Sequence, residues 1–213
     1  MDKTIENIWK EGFLPKEDLI SPKITNLYNQ KSIHIIDKII RMIKINFIAI
    51  IGGGIGFLII SFFMDIPVMG VGTFIIVNTI LLFNWPLMKE IKEIDKGKNS
   101  YEYLTSFNTW LGKQLSLNRK LATFYYPALF LSVVFGMWFN PNLQQVFQEI
   151  ISKPNEIYLF HGFPVLWSIP VILISFLLAV FGARLYNLDV RLVYGSIFNK
   201  LKDIIRDMEE LRA

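Results

Sequence analysis

Nineteen consecutive residues without a charge, Pro164 to Gly182 (PVLWSIPVILISFLLAVFG), constrain this chain more than any other stretch. A helix rising about 1.5 Å per residue crosses a hydrocarbon layer of roughly 30 Å in that length, and inside lipid a lone segment satisfies its own backbone only as a helix. Three more runs share the property: residues 45–64 (INFIAIIGGGIGFLIISFFM), 68–87 and 121–139. The expected fold class is therefore all-α, a polytopic membrane protein with four transmembrane helices, the last over 164–186. The apolar share of 53% is concentrated in these blocks, so lipid rather than a soluble core absorbs most of it.

The intervening segments are polar but not featureless. Residues 1–44 read as amphipathic helices. Ile5, Ile8, Trp9 and Phe13 recur at helical spacing before Gly12 and Pro15 interrupt the pattern, and Ser21-Pro22 starts a second helix. Its stripe of Ile36, Ile39, Ile40 and Ile43 leads along the bilayer surface or straight into the first span. Residues 88–120 form a helical loop in which one helix stops at Gly97. Asn99 followed by Glu102 then resembles an N-cap with its reciprocal acid. The helix so started carries Tyr101, Leu104, Phe107, Trp110, Leu111 and Leu115 on one face, too much apolar surface for water. Residues 140–163 are a loop with a short amphipathic helix marked by Leu143, Val146, Phe147 and Ile150. Residues 187–213 continue the fourth span as an amphipathic helix. There Val190, Tyr194, Ile197, Leu201, Ile204, Met208 and Leu211 alternate in steps of four and three, which suits packing on the Tyr101–Leu115 face or a dimeric coiled coil.

The basic residues orient the chain. Eight Lys and Arg lie before the first span, seven in the middle loop and six from Arg184 onward, whereas Lys153 stands alone in the two remaining connections. By the positive-inside rule both termini and the middle loop of this multi-pass protein are expected to be cytoplasmic. With no short apolar core ahead of a cleavage site, the first span is expected to stay as an anchor.

Within the spans, Gly52 and Gly56 form a GxxxG pair suited to close helix packing, against another span or a second copy of the chain. Asn78 and Asn84 are read as amides that bond across helices. The Gly52–Gly56 run is not a phosphate loop, for no strand precedes it and no Lys-Ser/Thr follows. Trp85-Pro86 closes the second span, and Pro127 falls in the first turn of the third.

Catalytic and cofactor chemistry finds little footing. The chain has no cysteine, and His34 and His161 have no second ligand at helical spacing, so neither a thiolate site nor a metal site is expected. Ser132, His161 and Asp65 make a triad only by chance of composition, and Asp203, Asp207, Glu209 and Glu210 belong to a solvated helix face among Lys200, Lys202 and Arg206. The net charge of +4 is interleaved with acids, which argues against direct nucleic-acid binding. No cofactor is expected.

At IENIWKEGFLPKEDLI and at YEYLTSFNTWLGKQLSLNRKLATFYYP the chain resembles a group of small bacterial four-span membrane proteins encoded beside extracytoplasmic-function sigma factors and regarded as membrane anti-sigma regulators. That resemblance implies a bacterial inner membrane and a cytoplasmic protein partner, a sigma factor, held by the N-terminal helix. The zinc-binding His and Cys residues of many soluble anti-sigma domains have no counterpart here. The leading functional reading is a non-enzymatic membrane regulator or scaffold. Its partner-binding candidates are Ile5, Ile8, Trp9, Phe13, Leu104, Phe107, Trp110 and Leu111. Its helix-packing candidates are Gly52, Gly56, Asn78, Asn84, Ile197, Leu201, Ile204 and Met208. The alternative is a small transporter or channel, or an accessory subunit of one, drawing on Gly52, Gly56, Asn78 and Asn84.

Overall fold

A computed structural model describes residues 22–95, 99–151, 159–160 and 163–210. Five α-helices carry almost all of them: α1 Pro22–Phe63, α2 Pro67–Glu90, α3 Ser100–Trp138, α4 Pro141–Ile151 and α5 Val165–Glu210. A single 3-10 turn, Ile91–Glu93, follows α2, and Leu159–Phe160 pairs antiparallel with Phe163–Pro164 just before α5. Helices α1, α2, α3 and α5 are each long and apolar enough to cross a membrane.

The helices are unequal, and the inequality shapes the molecule. With 24 residues α2 measures about 36 Å, little more than a hydrocarbon layer, whereas the 42, 39 and 46 residues of α1, α3 and α5 reach about 63, 58 and 69 Å. At one end all four are held level. Between α1 and α2, Asp65 takes a left-handed φ of 55°, a conformation Asp tolerates better than most residues. The carbonyl of that residue accepts from Asn140 Nδ2 at 3.0 Å, which ties the turn to the end of α3. Asn140 also caps α4, its Oδ1 accepting from the N–H groups of Asn142 and Leu143 at 2.9 and 3.1 Å. From α4, Phe147 stacks on Trp138 and meets Trp167 edge-on, which brings in the start of α5. Because these ends are level, the surplus of α1, α3 and α5 projects together from the opposite side as a three-helix extension about 30 Å long.

Burial divides accordingly. The large residues of the buried core gather in the extension and at its junction with the spans: Ile35, Ile36, Ile39 and Ile43 of α1, Tyr103, Leu104, Phe107, Trp110 and Leu111 of α3, Ile197 and Leu201 of α5. In the spans the pattern inverts. Ile48, Leu82, Phe124 and Ile172 are exposed, while Gly54, Ser61, Gly70, Asn84, Ala122, Ser132, Gly136 and Gly182 are buried. Water drives large apolar side chains inward, but lipid tails are as apolar as leucine, so in the span the small residues that let backbones approach occupy the contacts.

Several sequence expectations are corrected by helix continuity. The isoleucine stripe before the first span runs straight into it as part of α1, one of the two courses left open above. Helix α2 continues through Trp85-Pro86 to Glu90, beyond the expected span limit at residue 87; the α-helix then gives way to the 3-10 turn and Ile94 is extended, while the stop expected at Gly97 lies outside the described residues. Pro127 lies deep inside α3 rather than in a first turn, because the loop helix and the third span are one helix. An interior proline forfeits a backbone bond, which neighbouring helices and hydroxyl side chains in a membrane bundle can offset. The N-cap at Asn99 is present in both directions: its side chain accepts from the Glu102 N–H at 2.9 Å and donates to Glu102 Oε1 at 3.0 Å.

Candidate functional site

The extension and the level at which it joins the spans hold most of the residues to which the sequence points. On α3 the stripe Tyr103, Leu104, Phe107, Trp110, Leu111 faces inward, and the heptad stripe of α5 meets it: Ile197 and Leu201 are buried, and Ile204 and Met208 pack beside them. The α1 isoleucines close the third side. Each helix has one apolar stripe and water penalises leaving any of them open, so the three solve the problem jointly. Polar contacts fasten the ends. Trp110 Nε1 donates to the Leu87 carbonyl at 2.7 Å, binding the extension to the last turn of α2, and Tyr101 donates its hydroxyl to Glu209 Oε1 at 3.3 Å.

This arrangement corrects the role read for four residues. Leu104 and Phe107 are 0% exposed and Trp110 and Leu111 are 3% and 4% exposed, so they form the interior of the extension and offer no face to a partner. The remaining partner-binding candidates, Ile5, Ile8, Trp9 and Phe13, lie outside the described residues.

The span candidates separate as well. A Cβ added at Gly52 or Gly56 would meet nothing within 4 Å, so the GxxxG pair does not pack against another span of this chain. One residue in the same run does: a Cβ at Gly54 would lie 3.3 Å from Val77 Cγ1 of α2. The close approaches fall at glycines the sequence did not single out. A Cβ at Gly136 would come within 3.0 Å of the Met69 backbone nitrogen, and one at Gly182 would lie 2.6 Å from the Ala122 carbonyl oxygen. Asn78 turns to its own helix, donating to the Phe74 carbonyl at 2.8 Å.

Asn84 behaves as expected of a buried amide. It is fully buried and exchanges two hydrogen bonds with Asn118 of α3, Asn84 Nδ2 to Asn118 Oδ1 at 2.9 Å and Asn118 Nδ2 to Asn84 Oδ1 at 2.8 Å. The remaining amide hydrogens reach the carbonyls of Ile80 and Gln114, each at 2.9 Å. Asn118 was missed because, among Leu117, Arg119 and Lys120, it reads like any solvated Asn; counting depth from the level ends of α2 and α3 brings it only to within about one helical turn of Asn84. The pair welds α2 to α3 where the extension begins. Replacing either Asn with Leu is expected to destabilise the chain by leaving one amide unpaired. The double replacement should recover part of the loss, and a double-mutant cycle on thermal stability in detergent should return a coupling of about 1 kcal/mol.

Ser132 is likewise committed, its hydroxyl donating to the Met69 carbonyl at 3.0 Å and lying 3.4 Å from Thr73 Oγ1. Among the described residues no three His, Asp or Glu side chains gather closely enough to hold a metal ion. The four residues behind a transport reading are dispersed: Gly52 and Gly56 face outward, Asn78 bonds within α2 and Asn84 is sealed against Asn118. No family model, curated protein or solved structure matches this chain.

Proposed function

We propose that this chain is a non-enzymatic integral membrane regulator or scaffold that holds a cytoplasmic protein. The observation behind the reading is continuity: α1, α3 and α5 pass unbroken from apolar spans into one shared core, so any tilt or shift of a span moves the extension with it. A bundle coupled in this way suits signal transmission or anchoring. The distribution of Lys and Arg supports a cytoplasmic extension, and the sequence resemblance favours a bacterial inner membrane.

With Leu104, Phe107, Trp110 and Leu111 spent on the core, the partner-holding role falls to Ile5, Ile8, Trp9 and Phe13, whose spacing suits an apolar helix face laid into a groove. A sigma factor is the partner that the sequence resemblance favours. Because the chain lacks cysteine, single Cys residues report topology without background. In intact cells an impermeant thiol reagent should label Asn142→Cys and spare Lys202→Cys. A photo-crosslinking residue in place of Trp9 should then yield one adduct containing a sigma factor, abolished by Ile5→Asp with Ile8→Asp. Labelling of Lys202→Cys, or an adduct spectrum unchanged by the double substitution, contradicts the reading.

A further inference from the structure

Where α1 and α5 leave the apolar region, a cavity of about 560 Å³ opens between them, within the range of small-molecule sites. Its polar lining is Lys31, His34 and Lys38 from α1 and Ser196, Lys200 and Asp203 from α5. Lys38 and Lys200 thus stand on opposed walls, and Asp203 Oδ1 already lies 3.4 Å from Arg206. Like charges on two opposed walls repel, and an anion between them reverses the sign of that interaction. The rest of the lining is apolar and includes Met42 and Val193, at the end of the cavity nearest the spans.

A second observation specifies what kind of anion. Beyond Arg184, at the inner boundary of the fourth span, α5 still shows large apolar side chains: Leu185, Leu188 and Leu192 are 38%, 56% and 85% exposed, and Val193, on the cavity wall, is 54% exposed. Leu185, Leu188, Leu192, Ser196, Lys200 and Asp203 follow one another in steps of three and four, so they form a single row along the helix. Its upper half starts at the bilayer and is leucine-rich, with exposed Asp189 along one edge; its lower half is polar and lines the cavity. Such a row matches a molecule with an acyl chain above and a charged head below.

We propose that this cavity binds an anionic phospholipid, with its phosphate between Lys38 of α1 and Lys200 of α5 and an acyl chain lying on Leu192 and Leu188 toward the bilayer. Phosphate is the favoured head because ammonium groups and a hydroxyl at Ser196 suit its oxygens. The lipid bridges the two helices at the foot of the extension. This assignment is independent of the protein partner, since it is tested on the purified chain alone.

The test uses the full chain in phosphatidylcholine nanodiscs and radiolabelled dihexanoyl phosphatidic acid, with uptake by empty nanodiscs subtracted. Saturable binding at one site per chain is expected, undisturbed by dihexanoyl phosphatidylcholine. Lys38→Gln with Lys200→Gln should weaken it about thirtyfold, each lysine contributing roughly fivefold. Lys92→Gln with Lys202→Gln, which removes the same charge outside the cavity, should leave affinity within about twofold. Absence of saturable binding, or an equal loss in the two double variants, overturns the site. Displacement by inorganic phosphate as effective as by unlabelled lipid assigns the cavity to a free anion and overturns the lipid.

Discussion

Gly182→Ala is expected to loosen the contact between α3 and α5, although the substitution adds only a methyl group and favours helix locally. The new Cβ would lie 2.6 Å from the Ala122 carbonyl oxygen, 3.0 Å from its carbon and 3.1 Å from Thr123 Cα. All three are backbone atoms, so no side chain can rotate away, and the two helices must separate. Overpacking of this kind costs about 1 to 3 kcal/mol, against a propensity gain of about 1 kcal/mol, and Gly182→Leu should cost more. Gly52→Ala and Gly56→Ala are the internal comparison. Neither added Cβ meets anything within 4 Å, so these variants should match or slightly exceed the parent in thermal stability in detergent. If Gly52→Ala is the more damaging change, the helix packing described here is wrong.

The second large effect is expected from one phenylalanine and not from another. Phe107 is 0% exposed in the core of the extension, whereas Phe124, less than five helical turns further along α3, is 74% exposed in the span. Phe107→Ala leaves a cavity among Ile36, Ile39, Trp110 and Leu201 and should cost about 3 to 5 kcal/mol. Much of the extension should then exchange amide hydrogens faster, while the spans keep their protection. Phe124→Ala removes the same atoms from a lipid-facing position, where the neighbouring acyl chains fill the space, and should change stability little. Hydrogen exchange on both variants in one lipid composition separates the two environments. Equal losses would mean that the boundary between water-packed and lipid-facing helix is misplaced.

These contrasts show which features could be read early. The four spans were legible because each is a local run, and any window that excludes charge over the required length announces itself. The Asn99 cap was legible for the same reason, since its two partners lie three residues apart. The heptad stripe of α5 indicated an inward face, and Ile197 and Leu201 occupy it. The aromatic stripe of α3 was recognised as surface that must be covered, but its cover was ambiguous. A stripe made to pack on a neighbour and a stripe made to hold a partner have the same spacing, and only the presence of the α1 isoleucines and the α5 heptads around Phe107 resolves it.

Sequence alone determined what depends on the contrast between water and lipid: the number of helices long and apolar enough to cross a membrane, and the segregation of charge that suggests an orientation. Tertiary structure decided what depends on contrast within lipid, where there is almost none. Every face of a transmembrane helix is apolar enough for its surroundings, so hydropathy does not tell a packed face from a free one, and shape takes over. Hence the motif at Gly52 and Gly56 stands open while solitary Gly182 lies against a neighbouring backbone, and Asn84 finds Asn118 across 34 residues of chain. Helix continuity through Pro86 and Pro127 belongs to the same class, because a backbone interrupted by proline is judged by the neighbours that support it and not by its own sequence.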